Sequence, residues 1–371
     1  MLRKKELHQP DYILIISFFV LIFIGLLVLL SASYFVACEK FDDCFFHLKR
    51  QLLRGLLPGL ILFLALSFFN YQFFKKWSLI LFLLTLFLLG MVFIPGIGLA
   101  KDQAHRWVDL GIIFQPSEFA KLAFIIYLSA WLSKNKDKIK SLTEVFLPFL
   151  VFLMIVSGLI ILQPDFGTLI VFISLAMVIY FIAGGRILYI GGLIAIGLPL
   201  IMVLIRQAPY RLARITAFLH PEIDPSGIGY HITQAILAIS SGGILGRGLG
   251  YSSQKVSYLP EVISDSIFAV MAEELGFIAI LIVVALYFYI TYRIFRLAAF
   301  SDQFFGKLLA VGIGFWFIFQ TIINMGAMLG IFPLTGIPLP LIGYGGSSFV
   351  VFCVAFGILV NISRQIKLKR G

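Results

Sequence analysis

Long apolar segments dominate this sequence, and they restrict its fold more than any other feature. Hydrophobic residues make up 61% of the 371 residues and charged residues only 13%, well below the roughly 25% charged residues of soluble domains. A helix needs about 20 apolar residues to cross a bilayer. We therefore predict an all-α polytopic membrane protein, a single domain over 1–371, with ten transmembrane helices over 13–37, 52–69, 77–97, 114–133, 145–163, 168–185, 187–205, 266–292, 304–332 and 341–362.

The charged residues are divided unevenly between the two sets of alternating loops. An even number of spans places both termini on one side of the membrane. With the termini inside, the inner segments hold most of the lysines and arginines, and lysine and arginine are typical of cytoplasmic loops. We predict a multi-pass protein of the cytoplasmic membrane with both termini cytoplasmic. The net charge of +11 follows from this, so no nucleic acid partner is expected. The few inner acids are Glu6, Asp11, Asp137, Glu144 and Asp302.

The longest segment without a predicted span is 206–265, between predicted helices seven and eight. It is expected to form a large extracytoplasmic loop. Residues 230–240 (YHITQAILAIS) are apolar but too short to span, which favours a short interfacial or re-entrant helix. In another polar loop, Cys38 and Cys44 can form a disulfide if that loop lies outside the cell.

Several ionisable residues lie at or near membrane depth, where each costs about 2.5–3.5 kcal/mol on insertion scales. Arg106 precedes the fourth predicted span, and Glu118 and Lys121 share one face of that helix. They form either a structural ion pair or a cationic lining for an anionic headgroup. Asp165, in the turn QPDFGT, suits a helix cap. The arginines that follow span seven either reach lipid phosphates or recognise a diphosphate; they are Arg206, Arg211 and Arg214.

Asp265 lies at the predicted entrance of the eighth span, with Glu273 and Glu274 further inside it. Asp265 could be a helix cap, but neighbouring serines could cap equally well. A carboxylate at a lipid–water boundary near cations suits a general base.

The glycine-rich run 242–250 has no preceding strand and no Gly-Lys-Ser/Thr, so we predict a flexible outer loop rather than a nucleotide site. The prolines and glycines of 333–348 indicate non-helical backbone around a cavity.

Five ordered blocks of this sequence resemble the SEDS family, the membrane polymerases of cell shape, division and sporulation. They are RWVDLGIIFQPSEFAK (106–121), QPDFGT (163–168), DPSGIGYHITQA (224–235), YLPEVISDSIFAVMAEELG (258–276) and NMGAMLGIFPLTGIPLPLIGYGGSS (324–348). The runs 246–261 and 315–327 are closer to the division branch of the family, and the triplet 338–340 is closer to the elongation branch. We favour the division branch.

The resemblance implies a peptidoglycan glycosyltransferase that polymerises lipid II at the outer membrane face, with Asp265 as the essential aspartate. Arg106, Lys121, Arg211 and Lys255 are the candidates to neutralise the departing diphosphate, and Glu118 would orient Lys121. A divalent cation, Mg²⁺ or Mn²⁺, could bridge the phosphate and Asp265, and no organic cofactor is implied. Further candidate substrate-binding residues are Asp165, Glu273 and Ser347.

The implied partners are lipid II, the nascent glycan strand, a class B penicillin-binding protein (a transpeptidase) and other divisome proteins. Two alternatives come from other classes of protein. A lipid II flippase or transporter would need functional residues on both membrane faces, and the predicted inner loops are short. A non-catalytic scaffold would not need the carboxylates Glu118, Asp265, Glu273 and Glu274.

Overall fold

The computed structural model describes residues 9–101, 104–224, 227–252, 255 and 259–366. Within them the chain is almost entirely helical. The basic residues at the two extreme ends, used above to predict orientation, lie outside the described residues. The helices are α1 (Tyr12–Phe41), α2 (Phe46–Phe68), α3 (Gln72–Met91), α4 (Pro116–Lys134), α5 (Leu142–Leu162), α6 (Phe166–Ile182), α7 (Ile187–Arg206), α8 (Pro209–Leu219), α9 (Ile228–Ser241), α10 (Ile267–Phe300), α11 (Phe304–Met328) and α12 (Gly346–Arg364).

Eight helices of the described chain are long and apolar enough to cross a membrane, which confirms a polytopic helical architecture. They are α1, α2, α3, α5, α7, α10, α11 and α12. The other two predicted spans also form helices. α4 is less apolar because it carries Glu118 and Lys121, and α6 has only 17 residues.

The helices differ greatly in how far the protein itself buries them. In α11 and α12, 78% and 83% of the apolar window is buried, whereas none of that of α7 is. The two helices therefore form the centre of the bundle, with α2 packed along α12 and α10 along α11. α7 lies at the periphery and presents its apolar side chains outward, as a lipid-facing helix does.

Polar contacts join α1 and α10 at both of their ends. Arg293 Nη2 donates to Asp11 Oδ1 at 2.6 Å near the start of α1. Towards the other end, Ser31 Oγ donates to Glu274 Oε2 at 2.6 Å. The two helices are therefore antiparallel. Beyond Ser31, Cys38 and Cys44 form a disulfide that connects the end of α1 to the start of α2.

The extended loops hold more structure than the sequence indicated. The loop after α3 forms a small antiparallel sheet, which an all-α prediction did not include. Its strands are β1 (Gly98–Lys101), β2 (Ala104–Asp109) and β3 (Ile113–Phe114), paired in that order. The described part of segment 206–265 contains α8 as well as α9, and only the second of these was predicted. Sheet and helices satisfy backbone N–H and C=O groups that an irregular loop would leave unpaired.

α10 is broken at Gly276, and the glycine-rich run 242–250 fills the break. Gly276 has φ 77° and ψ 177°, a conformation that glycine tolerates. The N–H groups of Arg247 and Gly248 donate to the carbonyls of Glu273 and Glu274, at 3.0 and 2.9 Å. The prediction of a flexible loop was therefore wrong: the run is hydrogen-bonded to the helix because the interrupted helix leaves backbone groups without partners.

Candidate active site

Asp265 lies immediately before α10, on a turn that brings it against two other segments. Its side chain is half-buried. A Cβ atom added to Gly336 would lie 3.6 Å from Asp265 Oδ2 and 4.0 Å from Arg106 Nη1. The Asp265 carboxylate and the Arg106 guanidinium therefore both lie close to Gly336, in the non-helical backbone before α12. The predicted non-helical segment exists and borders Asp265.

Arg106, on β2, is held by the turn between α5 and α6. Its Nη2 donates to the Pro164 carbonyl at 2.9 Å, and its Nη1 lies 3.7 Å from Asp165 Oδ1. The same Asp165 carboxylate accepts a hydrogen bond from the Thr168 backbone N–H at 3.2 Å. Asp165 is thus both the N-cap of α6 and the partner of Arg106. Its contact to Arg106 places it in the lining of the site.

Two arginines of α8 lie on this side of the bundle, and one of them, Arg214, lies within the electrostatic range of Asp265. Arg211 is buried, and its guanidinium donates to the Tyr210 hydroxyl at 2.8 Å and the Leu204 carbonyl at 2.9 Å. Arg214 donates to the Thr335 carbonyl at 3.5 Å. Burial, then repulsion from Arg106, lowers the pKa of Arg214, while Asp265 and Asp165 oppose that shift. Arginine remains charged even so.

Two amide side chains of α11 hold the Asp265 segment against the non-helical backbone. Asn324 Nδ2 donates to the carbonyl of Asp265 at 3.1 Å and to that of Ile337 at 2.9 Å. One turn earlier, Gln320 Nε2 donates to the Pro338 carbonyl at 2.9 Å. These buried amides therefore fix the position of Asp265 relative to the backbone that faces it.

Lys121 and Glu118 form a buried ion pair between α4 and α11. Lys121 Nζ donates to Glu118 Oε1 at 2.8 Å and to Gln320 Oε1 at 3.1 Å, and it lies 5.3 Å from the centre of the Trp316 ring. Both charged residues are at most 2% exposed. The pair predicted from the spacing is confirmed as a contact. It reaches the Asp265 segment through α11, and its role in binding substrate stays a prediction.

Sequence comparison identifies the protein family. The family model described as "Cell cycle protein", which covers FtsW, RodA and SpoVE proteins, matches residues 11–368. The chain belongs to this family. The resemblance drawn from the five blocks is thereby confirmed.

Named relatives extend over almost the whole chain. The probable peptidoglycan glycosyltransferase FtsW of Trichlorobacter lovleyi is 40% identical over 369 residues, covering 99% of this chain and 97% of the relative. The stage V sporulation protein E of Bacillus subtilis is 40% identical over 365 residues, covering 98% and 99%. The FtsW names of several relatives agree with the predicted similarity to the division branch.

Two solved structures share this fold. A chain from a peptidoglycan synthase complex that coordinates polymerisation and crosslinking superposes with a TM-score of 0.78 and 26% identity, covering 97% of this chain and 99% of that one. The rod shape determining protein RodA of Thermus thermophilus superposes with a TM-score of 0.70 and 25% identity, covering 97% and 98%.

Lys255 and Glu273 lie in a second cluster, at the break of α10. Lys255 Nζ donates to Glu274 Oε1 at 2.5 Å and to the Ser31 carbonyl at 3.1 Å. Glu273 accepts a hydrogen bond from Ser252 Oγ at 2.5 Å and lies 3.3 Å from Arg247 Nη1. These contacts hold the glycine-rich run to α10. We call this group of residues the break cluster: Ser31, Arg247, Ser252, Lys255, Glu273 and Glu274.

Ser347, the last predicted substrate-binding residue, lies at the start of α12. Its hydroxyl accepts a hydrogen bond from the Gln115 backbone N–H at 3.0 Å, directly before α4. The contact joins the start of α4 to the start of α12. Its hydroxyl is half-buried, and binding of substrate there stays a prediction.

His231 of α9 also lies beside this site, and it was not among the residues predicted from the sequence. Its Nε2 lies 2.5 Å from Ser266 Oγ, next to Asp265. Burial, the largest cause, lowers the pKa of His231, and Arg214 also lowers it, while Glu261 raises it. A signal was present: His231 is the one histidine in the apolar segment 230–240, which holds no aspartate, glutamate, lysine or arginine.

A metal cage made of protein ligands alone is not present in the part of the chain that the structure describes, where no three His, Cys, Asp or Glu side chains group around one point. Mg²⁺ is often bound by one or two carboxylates together with substrate phosphates. Asp265, close to Arg106 and within the electrostatic range of Arg214, fits the role of that single carboxylate.

Proposed function

We propose that this protein is a peptidoglycan glycosyltransferase that polymerises lipid II into glycan strands at the outer face of the cytoplasmic membrane during cell division. The observation that carries this is the position of Asp265. Its half-buried carboxylate shares one point of the backbone with Arg106 and lies within the electrostatic range of Arg214. Membership of the family, and the names of its glycosyltransferase relatives, support the same reaction.

In the proposed reaction, the 4-hydroxyl of one GlcNAc attacks the anomeric carbon of a MurNAc carried on undecaprenyl diphosphate. A new carbon–oxygen bond forms to the sugar, and the bond to the diphosphate oxygen breaks, with its electron pair leaving on the phosphate. Asp265 takes the proton of the attacking hydroxyl, an effect of about 10²–10⁴-fold for a positioned base. In this proposal Arg106, Arg211 and Arg214 offset the leaving group's charge, and the positions of Arg106 and Arg214 near Asp265 support it.

A divalent cation, when bound, would neutralise phosphate charge beside the carboxylate. Asp265 is the residue that would hold it, with the remaining ligands supplied by the diphosphate and water. Mg²⁺ and Mn²⁺ both suit oxygen ligands of this kind. In this proposal the arginines bind and orient the same phosphate groups, so the cation and the arginines would both offset the negative charge of the diphosphate.

For the topology, we propose ten spans with both termini cytoplasmic and segment 206–265 outside. The antiparallel contacts of α1 and α10 support it, because spans one and eight run in opposite directions in this arrangement. Gln51, near the start of α2, accepts a hydrogen bond from the Gly345 N–H at the start of α12. This supports the parallel course expected of spans two and ten. The Cys38–Cys44 disulfide favours an oxidising outer side for that end of the bundle.

Proposed partners are lipid II, the growing glycan strand, a class B penicillin-binding protein and other divisome proteins. The solved relative from a peptidoglycan synthase complex supports a transpeptidase partner. None of the apolar window of the peripheral α7 is buried, so this part of the bundle has apolar surface that the described chain does not cover.

The test is a gel assay of the purified chain on labelled lipid II, with Mg²⁺ or Mn²⁺, with and without its transpeptidase partner. We expect glycan strands from the wild type and none from Asp265→Ala. Asp43→Asn is the matched control, because Asp43 is a half-buried loop carboxylate, as Asp265 is, and pairs with Lys49 in the loop between α1 and α2. Polymerisation by purified Asp265→Ala would contradict the mechanism. Movement of lipid II across liposomes without polymer would instead favour the flippase, and rescue of an elongation rather than a division defect in cells would favour the elongation branch.

A further inference from the structure

We infer that His231 is a positioning residue for this reaction: its hydrogen bond to Ser266 fixes the backbone that carries Asp265. The inference rests on the proposed function, in which Asp265 is the base. His231 belongs to α9 and Ser266 to the entrance of α10, so their 2.5 Å contact joins two elements that are distant in sequence. α9 packs directly along α10.

The direction of this hydrogen bond follows from the other partner of Ser266. A serine hydroxyl has one hydrogen to donate. Ser266 Oγ donates it to the Pro260 carbonyl at 2.7 Å, and a carbonyl can only accept. Towards His231, Ser266 Oγ is therefore the acceptor, and His231 Nε2 carries a hydrogen.

Both the neutral Nε2–H tautomer and the imidazolium ion can make this hydrogen bond. The charged groups that act on the ring are Arg214 from α8 and Glu261 from the segment before α10. Because either protonation state serves, the contact does not require His231 to gain or lose a proton. His231 acts here as a fixed donor.

The hydroxyl of Ser266 makes these contacts instead of capping α10. Ser266 is the N-cap residue of α10 but makes no side-chain capping hydrogen bond, whereas an N-cap serine usually accepts from a backbone N–H of the first turn. Its hydroxyl is completely buried between Pro260 and His231. The local helix therefore forgoes a cap in favour of a contact with α9.

The peptide between Asp265 and Ser266 is held at both of its polar atoms. Its carbonyl accepts from Asn324 Nδ2 at 3.1 Å, and its N–H donates to the Glu261 carbonyl at 3.2 Å. His231 adds a third restraint, through the side chain of Ser266. A displacement of about 1 Å at a reacting group can cost on the order of 10²-fold in rate, so loosening this peptide should lower kcat.

The experiment compares His231→Leu, His231→Gln and wild type on labelled lipid II. We expect His231→Leu to lower kcat about tenfold, as for one lost hydrogen bond, with KM nearly unchanged. Glutamine retains an N–H donor of similar reach, so His231→Gln should recover kcat to within about threefold and keep the wild-type pH profile. Ser240→Ala, an exposed position on the same helix, is the matched control and should match wild type.

A double-mutant cycle separates positioning from a general effect on folding. In a Ser266→Ala background the acceptor is gone, so adding His231→Leu should change kcat little further. Independent, multiplying losses would overturn the inference, as would wild-type kcat in His231→Leu. A His231→Gln variant as slow as His231→Leu, with one limb of the pH profile lost, would also overturn it, because His231 would then transfer a proton. If the wild-type chain makes no polymer, the proposed function fails and this inference fails with it.

Discussion

The acidic side chains of the break cluster and Asp265 lie near the start of the same helix, α10, but they differ in burial. In the break cluster, Glu274 is 1% exposed and has the Lys255 ammonium at 2.5 Å. Asp265, before the same helix, is half-buried, and the nearby guanidiniums of Arg106 and Arg214 are themselves held by backbone carbonyls. A carboxylate that is completely buried against a cation holds the structure together. A carboxylate that stays partly exposed, as Asp265 does, can be reached by a substrate hydroxyl and can accept its proton.

The difference also separates stability from activity. Removing one member of a buried ion pair strands a charge and costs about 3–5 kcal/mol of stability. A half-exposed carboxylate can still be hydrated, so its removal should cost the fold far less. Substitutions in the two groups are therefore expected to fail in different measurements, and four experiments can test this.

The largest effect is expected for Asp265→Asn, which keeps the size of the side chain but removes the base. We expect polymerisation to fall by about 10²–10⁴-fold, with the melting temperature close to that of wild type. Rates on labelled lipid II and melting of the same purified sample give both values. A melting temperature that falls together with the rate would assign Asp265 to the fold and remove the contrast.

Lys255→Met should lower the stability and leave the rate nearly unchanged, the reverse of the result expected for Asp265→Asn. It strands the Glu274 carboxylate in the interior, so we expect about 3–5 kcal/mol lower stability, while the rate per folded molecule changes little. Thermal unfolding in detergent measures the first quantity, and the gel assay measures the second.

The control for that substitution is Lys255→Met combined with Glu274→Met, which removes both charges. Apolar replacement of a whole buried pair is often tolerated, so the double variant should recover most of the lost stability. A rate loss as large as that of Asp265→Asn would instead place the break cluster in the chemistry.

Gly276→Ala should lower stability by a smaller amount, about 1–3 kcal/mol. The residue has φ 77°, and an added Cβ would lie 2.1 Å from the Gly246 backbone nitrogen, where no flexible side chain can yield. Gly197→Ala on the peripheral α7 is the matched control, since its Cβ would meet nothing within 4 Å. Equal melting temperatures for the two variants would show that the break of α10 is not needed for stability.

The smallest effect is expected for Cys44→Ser, which opens a disulfide between residues only six apart in sequence. A loop this short contributes about 2 kcal/mol at most in the chain-entropy description, and the rate should not change. The freed Cys38 thiol then reports which membrane face carries the Ser31 end of the break cluster. Labelling by an impermeant maleimide on intact spheroplasts is expected, and protection from it would reverse the proposed orientation.

Much of the fold could be predicted from the sequence, because the bilayer requires long apolar segments. Each of the ten predicted segments coincides with a helix. The pair Glu118–Lys121 and the cap at Asp165 were also predictable, since both depend on contacts within a few residues. For the same reason the sequence placed Asp265 correctly at the entrance of a helix.

The remaining features depend on contacts between distant parts of the chain. Lys255 and Glu273 were grouped with Asp265 because they are near it in sequence, but their partners come from α1 and from the glycine-rich run. The break at Gly276 is stable only because residues 243–248 supply its hydrogen-bond partners. His231 was missed because Ser266 lies 35 positions away. Periodicity and composition contain no information on such pairings.

The filled break of α10 has a mechanical consequence. Were run 242–250 to detach, the carbonyls of Glu273 and Glu274 and the N–H groups of Phe277 and Ile278 would lose their partners, and a buried backbone group without a partner costs several kcal/mol. We therefore expect the glycine-rich run and the first turns of α10 to move together, and Asp265, directly before those turns, to move with them.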